Sequence, residues 1–168
     1  MLYYENLLGK LLEKQVRFLV IGGLAVNLHG VPRMTADIDI AVEFSPTNVD
    51  RLLEALRELG YTPAVPVHPE ALANREQREE WRTTRNMQAF SFLNAENPLA
   101  ELDVLLEFPD FEVAWERRFE VPVGSLKIPV ASIDDLIRTK RGTGRKQDES
   151  DIVALELAKR LVSEKESE

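Results

Sequence analysis

The chain has 168 residues, 44% of them hydrophobic and 30% charged, a composition typical of one globular domain with a sizeable core. The absence of cysteine excludes disulfides and thiolate zinc sites, and two histidines are too few for a histidine-built metal centre. A net charge of −8 disfavours a protein that coats nucleic acid non-specifically, and no apolar run is long enough to cross a membrane. We therefore expect a cytoplasmic protein with a single domain over residues 1–168.

A strand–turn–helix–strand unit is predicted near the N-terminus, after a first helix over residues 2–14. Four apolar residues, Phe18–Ile21, run into two glycines, which is typical of a buried strand that ends in a tight turn. A short amphipathic helix follows and ends before Pro32, because proline cannot continue a helix. A second strand is predicted over residues 37–42.

Hydrophobic periodicity predicts further helices and strands along the rest of the chain. Together the elements indicate an α/β fold with a mixed central sheet of about five strands flanked by helices. Residues 132–168 are expected to form a C-terminal helical pair that packs on this sheet and ends in a charged, frayed tail from residue 163. The further elements are helices over 48–59, 109–118, 132–140 and 148–162, strands over 87–93, 102–106, 120–123 and 126–130, and a weak edge strand over 61–67.

Two carboxylates and two glycines in the N-terminal unit point to a metal–nucleotide site. Asp37 and Asp39 are two residues apart, so on a strand both side chains lie on the same face. Neighbouring like charges repel, and a hard divalent cation such as Mg²⁺, which prefers oxygen ligands, removes that repulsion. Gly22 and Gly23 carry no side chains, so their backbone N–H groups can approach a phosphate at the start of a helix.

The spacing of these residues resembles a known motif. Gly22 and Gly23, thirteen further residues and then Asp37-Ile-Asp39 resemble the nucleotidyltransferase motif of the DNA polymerase β-like superfamily. The surrounding string is similar to small members of that superfamily, among them nucleotidyltransferases of the abortive-infection toxin type. The resemblance implies the nucleotidyltransferase fold and two Mg²⁺ ions held by three aspartates, of which Asp103 is the candidate third.

The third carboxylate lies in a predicted strand of otherwise apolar residues. In the resembling family this carboxylate completes the metal site and can act as the base for the attacking hydroxyl. An unpaired aspartate in a central strand needs a reason, which favours Asp103. Glu101, which shares the face of Asp103, and Glu107 remain rivals for the role.

Three residues outside the motif are candidates for binding phosphate. Arg33 and Thr35 lie in the loop before the acidic strand, where a guanidinium could neutralise a triphosphate or a pyrophosphate leaving group. The resembling family places a lysine on the helix that here carries Lys140, within reach of the phosphates. The same family has an aspartate after that helix, and Asp148 is expected either to take that place or only to cap the final helix.

The resemblance implies a Mg²⁺-dependent transfer of a nucleoside monophosphate from a nucleoside triphosphate such as ATP to a hydroxyl, with release of pyrophosphate. The acceptor is left open among RNA, a protein side chain and a small molecule. A toxin–antitoxin setting with a cognate protein partner is a further expectation from the toxin-type relatives. The alternative is a non-catalytic module on the same fold that binds a nucleotide or a partner.

Two surface predictions concern basic and apolar residues. Arg75, Arg78, Arg82 and Arg85 share one face if their segment is helical. Interleaved glutamates favour a solvated helix over a basic surface for a triphosphate or a polynucleotide. The apolar first helix, together with Trp81 taken as exposed, suggests a homodimer.

Overall fold

A computed structural model describes residues 2–167 as a mixed sheet with helices packed on it. Within those residues the sheet has seven strands: β1 (Phe18–Ile21), β2 (Ile38–Val42), β3 (Tyr61–Pro63), β4 (Ala89–Asn94), β5 (Leu102–Leu105), β6 (Phe119–Val123) and β7 (Leu126–Val130). Their order across the sheet is β3–β4–β5–β2–β1–β7–β6.

The sheet is wider than the five strands expected from the sequence. The hairpin β6–β7 extends it, because β7 pairs in parallel with β1 through Val20 and Val130. At the opposite edge the short strand β3 pairs antiparallel with β4, and its Pro63 is tolerated because an edge strand has one unpaired side. The sequence predicts the hairpin strands and the weak edge strand, but their attachment to the central sheet depends on long-range contacts that no local pattern encodes.

The described chain also forms seven α-helices. They are α1 (Glu5–Glu13), α2 (Gly22–Leu28), α3 (Pro46–Glu58), α4 (Arg75–Thr84), α5 (Phe111–Glu116), α6 (Ile133–Lys140) and α7 (Lys146–Glu166), with a 3₁₀ turn over Pro69–Ala73 before α4. Of these helices, none combines the length and the apolarity that crossing a bilayer requires.

The helix starts follow capping chemistry. The Ser45 hydroxyl accepts a hydrogen bond from the backbone N–H of Asn48, and the Ser132 hydroxyl accepts one from the backbone N–H of Asp135, so a serine caps the start of α3 and of α6. The expected cap at Asp148 is wrong, because α7 begins two residues earlier at Lys146. The expected frayed tail from residue 163 is also wrong, because α7 continues to Glu166.

The apolar face of α1 is part of the core and not of a free surface. Leu8 and Leu11 are fully buried, and Trp81 is only 2% exposed, where it packs against Phe90 with ring centroids 5.4 Å apart. The prediction that Trp81 is exposed is therefore wrong, because α4 turns its apolar side to the sheet. The basis given for a homodimer is lost with it.

Strand pairing brings the acidic residues together. Strand β2 lies between β1 and β5, antiparallel to the first and parallel to the second. In this register Asp39 lies opposite Ile21, the last residue of β1, and beside Asp103 of β5. Because β4 and β5 pair antiparallel, Ser91 in turn lies opposite Asp103. The two aspartates are thus fixed at one end of the central strands, next to the turn that starts at Gly22.

Candidate active site

All of the residues proposed from the sequence line one cleft of about 320 Å³. The cleft lies where β1 turns into α2, at the start of β2 and β5, and under the end of α6. Its walls include Gly22, Gly23, Arg33, Thr35, Asp37, Asp39, Asp103 and Lys140, together with Arg145 and Asp148, which the sequence analysis had not committed to the site.

One wall of the cleft carries the three aspartates. Asp39 and Asp103 are half-buried on paired strands, and Asp37 is exposed in the position just before β2. The Ser91 hydroxyl donates a short hydrogen bond to Asp103 Oδ1 and fixes that carboxylate on the sheet. Among residues 2–167, no lysine or arginine forms an ion pair with any of the three. The wall therefore concentrates negative charge without an internal counter-ion.

Burial and mutual repulsion change how these carboxylates titrate. Burial and, after it, the charges of Asp103 and Asp37 raise the pKa of Asp39 to about 6, against the opposing charges of Lys140 and Arg145. Burial also raises the pKa of Asp103, while the hydrogen bond from Ser91 lowers it and the charge of Asp37 raises it. Repulsion between carboxylates in a cleft destabilises the fold. Clusters of this kind are therefore typical of functional sites, where a ligand offsets the cost.

The two glycines are required by close approach of the site's side chains. Gly22 has φ of +65°, a left-handed conformation, and a Cβ there would lie 2.9 Å from Asp39 Cγ. A Cβ at Gly23 would lie 2.8 Å from Thr35 Oγ1 and 3.0 Å from Arg33 Cζ. Any side chain at either position would displace residues that line the cleft, so the turn and the site are built together.

The opposite wall carries cations that are already paired. Lys140 is only 7% exposed, and its Nζ lies 2.9 Å from Asp151 Oδ2 and 3.3 Å from Asp148 Oδ1. Arg33 Nη1 donates to the same Asp151 oxygen at 2.6 Å, and Arg145 Nε donates to Asp148 Oδ2 at 2.8 Å. Lys140 is therefore held by two carboxylates in a buried position.

Sequence reasoning missed the role of Asp151 and placed Asp148 incompletely. The signal was present as two acids three residues apart in the first two turns of α7, which puts both on one face of the helix. Their partners lie far off in the sequence: Asp151 and Arg33 are 118 residues apart. The partners of such a face become visible only when the chain is folded.

The rival acids for the third carboxylate lie elsewhere. Glu107 forms a short ion pair with Arg82, and together they line a separate cavity of about 310 Å³ at the opposite end of β2 and β5. Glu101 immediately precedes β5 and, within the described residues, does not line the catalytic cleft. The structure therefore favours Asp103 over both.

Three arginines of the α4 stripe, Arg75, Arg78 and Arg82, line that separate cavity and not the cleft with the three aspartates. Arg78 stacks on the ring of Phe44, with its guanidinium carbon 4.0 Å from the ring centroid, and donates to the carbonyl of Leu72 at 2.6 Å. Arg75 and Arg85 are exposed. The predicted solvated helix fits Arg75 and Arg85, whereas Arg78 is packed against Phe44.

The acidic wall suits a hard divalent cation. Three carboxylates offer oxygen ligands, and the pKa values of Asp39 and Asp103 are raised first by burial and then by their acidic neighbours, which a cation would offset. Within residues 2–167 no three acidic or histidine side chains are already gathered closely enough to enclose an ion. The donor set fits Mg²⁺.

Comparison with protein families decides the class of the protein. Residues 5–165 match the family model described as "Nucleotidyltransferase of unknown function (DUF6036)". The chain belongs to this family. It is therefore a nucleotidyltransferase, which confirms the enzyme class expected from the glycine and aspartate spacing. None of the curated proteins compared with this nucleotidyltransferase matches it significantly.

Solved structures show that the fold is shared with known adenylyltransferases. The lincomycin-bound crystal structure of the lincosamide antibiotic adenylyltransferase LnuA has a TM-score of 0.61 and 18% identity, covering 92% of this chain and 94% of that one. The crystal structure of ANT(2'')-Ia with adenylyl-2''-tobramycin has a TM-score of 0.60 and 14% identity, covering 96% and 88%. The solution structure of the antibiotic-resistance factor ANT(2'')-Ia has a TM-score of 0.59 and 13% identity, covering 95% and 82%. At such low identity, the TM-scores show that our chain shares the fold of these enzymes.

Proposed function

We propose that this protein transfers a nucleoside monophosphate from a Mg²⁺-bound nucleoside triphosphate to a hydroxyl of a small-molecule acceptor. The observation that carries the proposal is the cleft itself, in which three carboxylates without counter-ions face a bare glycine turn and a wall of cations. In the reaction the acceptor oxygen forms a bond to the α-phosphorus, and the bond from that phosphorus to pyrophosphate breaks.

The triphosphate would be bound by the glycine turn and the cations. Gly22 and Gly23 present backbone without side chains, and Thr35 packs directly against Gly23. Arg33 and Lys140 line the same cleft and carry positive charge that suits the β- and γ-phosphates and the departing pyrophosphate. The Nε of Arg33 is buried without a hydrogen-bond partner among the described residues, as expected of a donor that a ligand oxygen completes.

All three aspartates would serve as metal ligands, and one of them would also serve as the base. Asp37, Asp39 and Asp103 would hold Mg²⁺, which when bound supplies neutralising charge at the transferring phosphate. Asp103 would also take the proton of the acceptor hydroxyl, since it lines the cleft beside Asp39. Ser91 orients Asp103 through its short hydrogen bond. In this account residues 1–168 work as one domain, with α6 and α7 completing the cleft.

A small-molecule acceptor is supported by the fold neighbours and by charge. The neighbours named above act on or bind antibiotics, and this chain spans nearly all of the lincosamide enzyme. The net charge of −8 works against a polyanionic acceptor. RNA, a protein side chain and the toxin–antitoxin setting implied by the toxin-type relatives become the competing outcomes of the acceptor test.

The test is a transfer assay with each of the four nucleoside triphosphates labelled at the α-phosphate. The acceptor arms are lincomycin, tobramycin and other small polyhydroxy compounds, total RNA, and the protein itself. We expect pyrophosphate release and label on a small molecule, seen as a mass gain of one nucleotide residue. Label on RNA or protein alone would overturn the acceptor class, and no transfer to any acceptor, with no triphosphate bound, would overturn the proposed function.

A further inference from the structure

We propose that Asp151 of α7 is a positioning residue, which sets Arg33 and Lys140 as one clamp for the triphosphate oxygens. The inference rests on the proposed function and adds a residue to it. Within the described residues Asp151 does not line the cleft, so it acts through the two cations and not by touching the nucleotide. Its carboxylate is 3% exposed.

One carboxylate oxygen gathers both cations. Asp151 Oδ2 accepts from Arg33 Nη1 at 2.6 Å and from Lys140 Nζ at 2.9 Å. The other oxygen, Oδ1, accepts from Gln147 Nε2 at 3.0 Å, one turn earlier on α7. Both oxygens are therefore used, and the orientation of the carboxylate is fixed by its own helix. Such a fixed acceptor sets the positions of both cationic groups relative to α7.

The two cations keep donors that Asp151 does not use. An ammonium has three N–H donors, and Lys140 directs two of them at Asp148 and Asp151. A guanidinium has five, and Arg33 gives one to Asp151 while its Nε has no partner in the described chain. Since both residues also line the cleft, a phosphate can be bound without breaking their contacts to Asp151.

Asp148 has a different place in the network. It lines the cleft, and its oxygens accept from Lys140, from Thr143 at 2.7 Å and from Arg145 at 2.8 Å. A substitution there would change the charge facing the ligand directly. Asp151 is the only carboxylate in the described network that contacts both Arg33 and Lys140. A substitution of Asp151 therefore tests the positioning of the two cations without changing a residue that lines the cleft.

Removing the charge of Asp151 should loosen the clamp. Lys140 would keep only Asp148, its longer contact, and Arg33 would lose its only ion pair among the described residues. A buried cation that loses its partner moves toward water or toward another acceptor. The two cations can then no longer contact several phosphate oxygens at once. The resulting loss of affinity should be larger for a nucleotide with more phosphates.

The test compares Mg²⁺ complexes of a nucleoside mono-, di- and triphosphate by calorimetric titration, with the base taken from the transfer assay. For Asp151→Asn we expect the Kd of the triphosphate to rise roughly tenfold, the effect typical of removing a residue that orients a ligand-binding group. The Kd of the monophosphate should change little. Asp134→Asn is the matched control, because it removes a 2.6 Å contact to Lys159 between the same two helices away from the cleft.

A second variant guards against misfolding. Gln147→Ala removes only the contact that fixes the orientation of Asp151, and it should weaken triphosphate binding in the same direction by a smaller factor. An equal loss for all three nucleotides in Asp151→Asn would overturn positioning in favour of a purely structural role. Tighter triphosphate binding would also overturn it, since Asp151 would then compete with phosphate. A wild type that binds no triphosphate would overturn the proposed function and this inference together.

Discussion

The two walls of the cleft balance their charges in opposite ways. On the β2–β5 wall, Asp39 and Asp103 lie side by side with no cation paired to them in the described chain, and burial and repulsion raise the pKa of each. On the opposite, basic wall, Asp151 of α7 holds Lys140 of α6 at 2.9 Å and Arg33 of the loop before β2 at 2.6 Å. The first wall is incomplete without a cation, whereas the second is complete before any ligand arrives.

This difference indicates how the protein divides its work. Repulsion on the acidic wall costs stability that an external cation would offset, so in the proposed function that wall is the one that binds metal. Ion pairs on the basic wall fix side chains in advance, so that wall offers phosphate a preformed geometry. Substitutions on the two walls should therefore have opposite effects on stability. Neutralising an acid of the acidic wall should stabilise the metal-free protein, and neutralising Asp151 behind the basic wall should destabilise it.

The largest effect is expected for Asp39→Asn. We predict a loss of transfer activity of about a thousandfold or more, the scale seen when a group that stabilises transition-state charge is removed. The same variant should unfold at a higher temperature than wild type at pH 7 without metal, because a buried, repelled charge is gone. Initial rates and thermal unfolding measure the two effects. Asp50→Asn, an exposed site on α3, is the control and should change neither. A variant that is both active and less stable would contradict the account of the acidic wall.

Gly22→Ala should act on both the turn and the neighbouring acid. We expect a loss of stability of roughly 1–3 kcal/mol from the left-handed backbone, together with a loss of activity because the new Cβ displaces Asp39. The matched control is Gly60→Ala, where φ is +80° but a Cβ meets nothing within 4 Å. That control isolates the backbone cost. Equal activity in the two variants would show that contact with Asp39 does not matter.

The acidic wall also predicts a pH dependence. The pKa of Asp39 is about 6 in the folded protein and 3.8 in the reference state, so the folded state holds this proton more tightly. This contribution to stability is fully present below about pH 4 and is lost as the pH rises through about 6, which lowers wild-type stability relative to Asp39→Asn by up to about 3 kcal/mol. Unfolding at several pH values, with and without Mg²⁺, measures it. A difference that does not vary with pH would contradict the assignment.

The smallest effects are expected on α4, outside both walls. Arg78→Ala should cost about 1 kcal/mol of stability, since it removes the stacking on Phe44 and the hydrogen bond to Leu72. Arg75→Ala, at an exposed position on the same helix, should leave stability nearly unchanged. Neither substitution should alter triphosphate affinity. Weaker nucleotide binding in Arg75→Ala would instead assign the stripe to the site.

Local patterns explain why the acidic wall was predictable. Gly22-Gly23 and Asp37-Ile-Asp39 lie within one short stretch, and strand periodicity places both acids on one face. The basic wall joins residues from three separate parts of the chain, so the role of Asp151 was missed although Lys140 and Arg33 were identified. The burial of Trp81 was missed for a similar reason. The sequence around it is strongly charged, and its packing partner Phe90 lies on a different element.

The central claim is that the acidic wall binds a metal-bound triphosphate. The most direct measurement is calorimetric titration of each nucleoside triphosphate, in Mg²⁺ and in EDTA, into wild type and Asp37→Asn/Asp39→Asn. We predict saturable binding of at least one triphosphate to wild type in Mg²⁺, loss of that binding in EDTA, and none in the double variant. Equal binding in all four conditions would contradict the claim, because the cations alone would then hold the nucleotide.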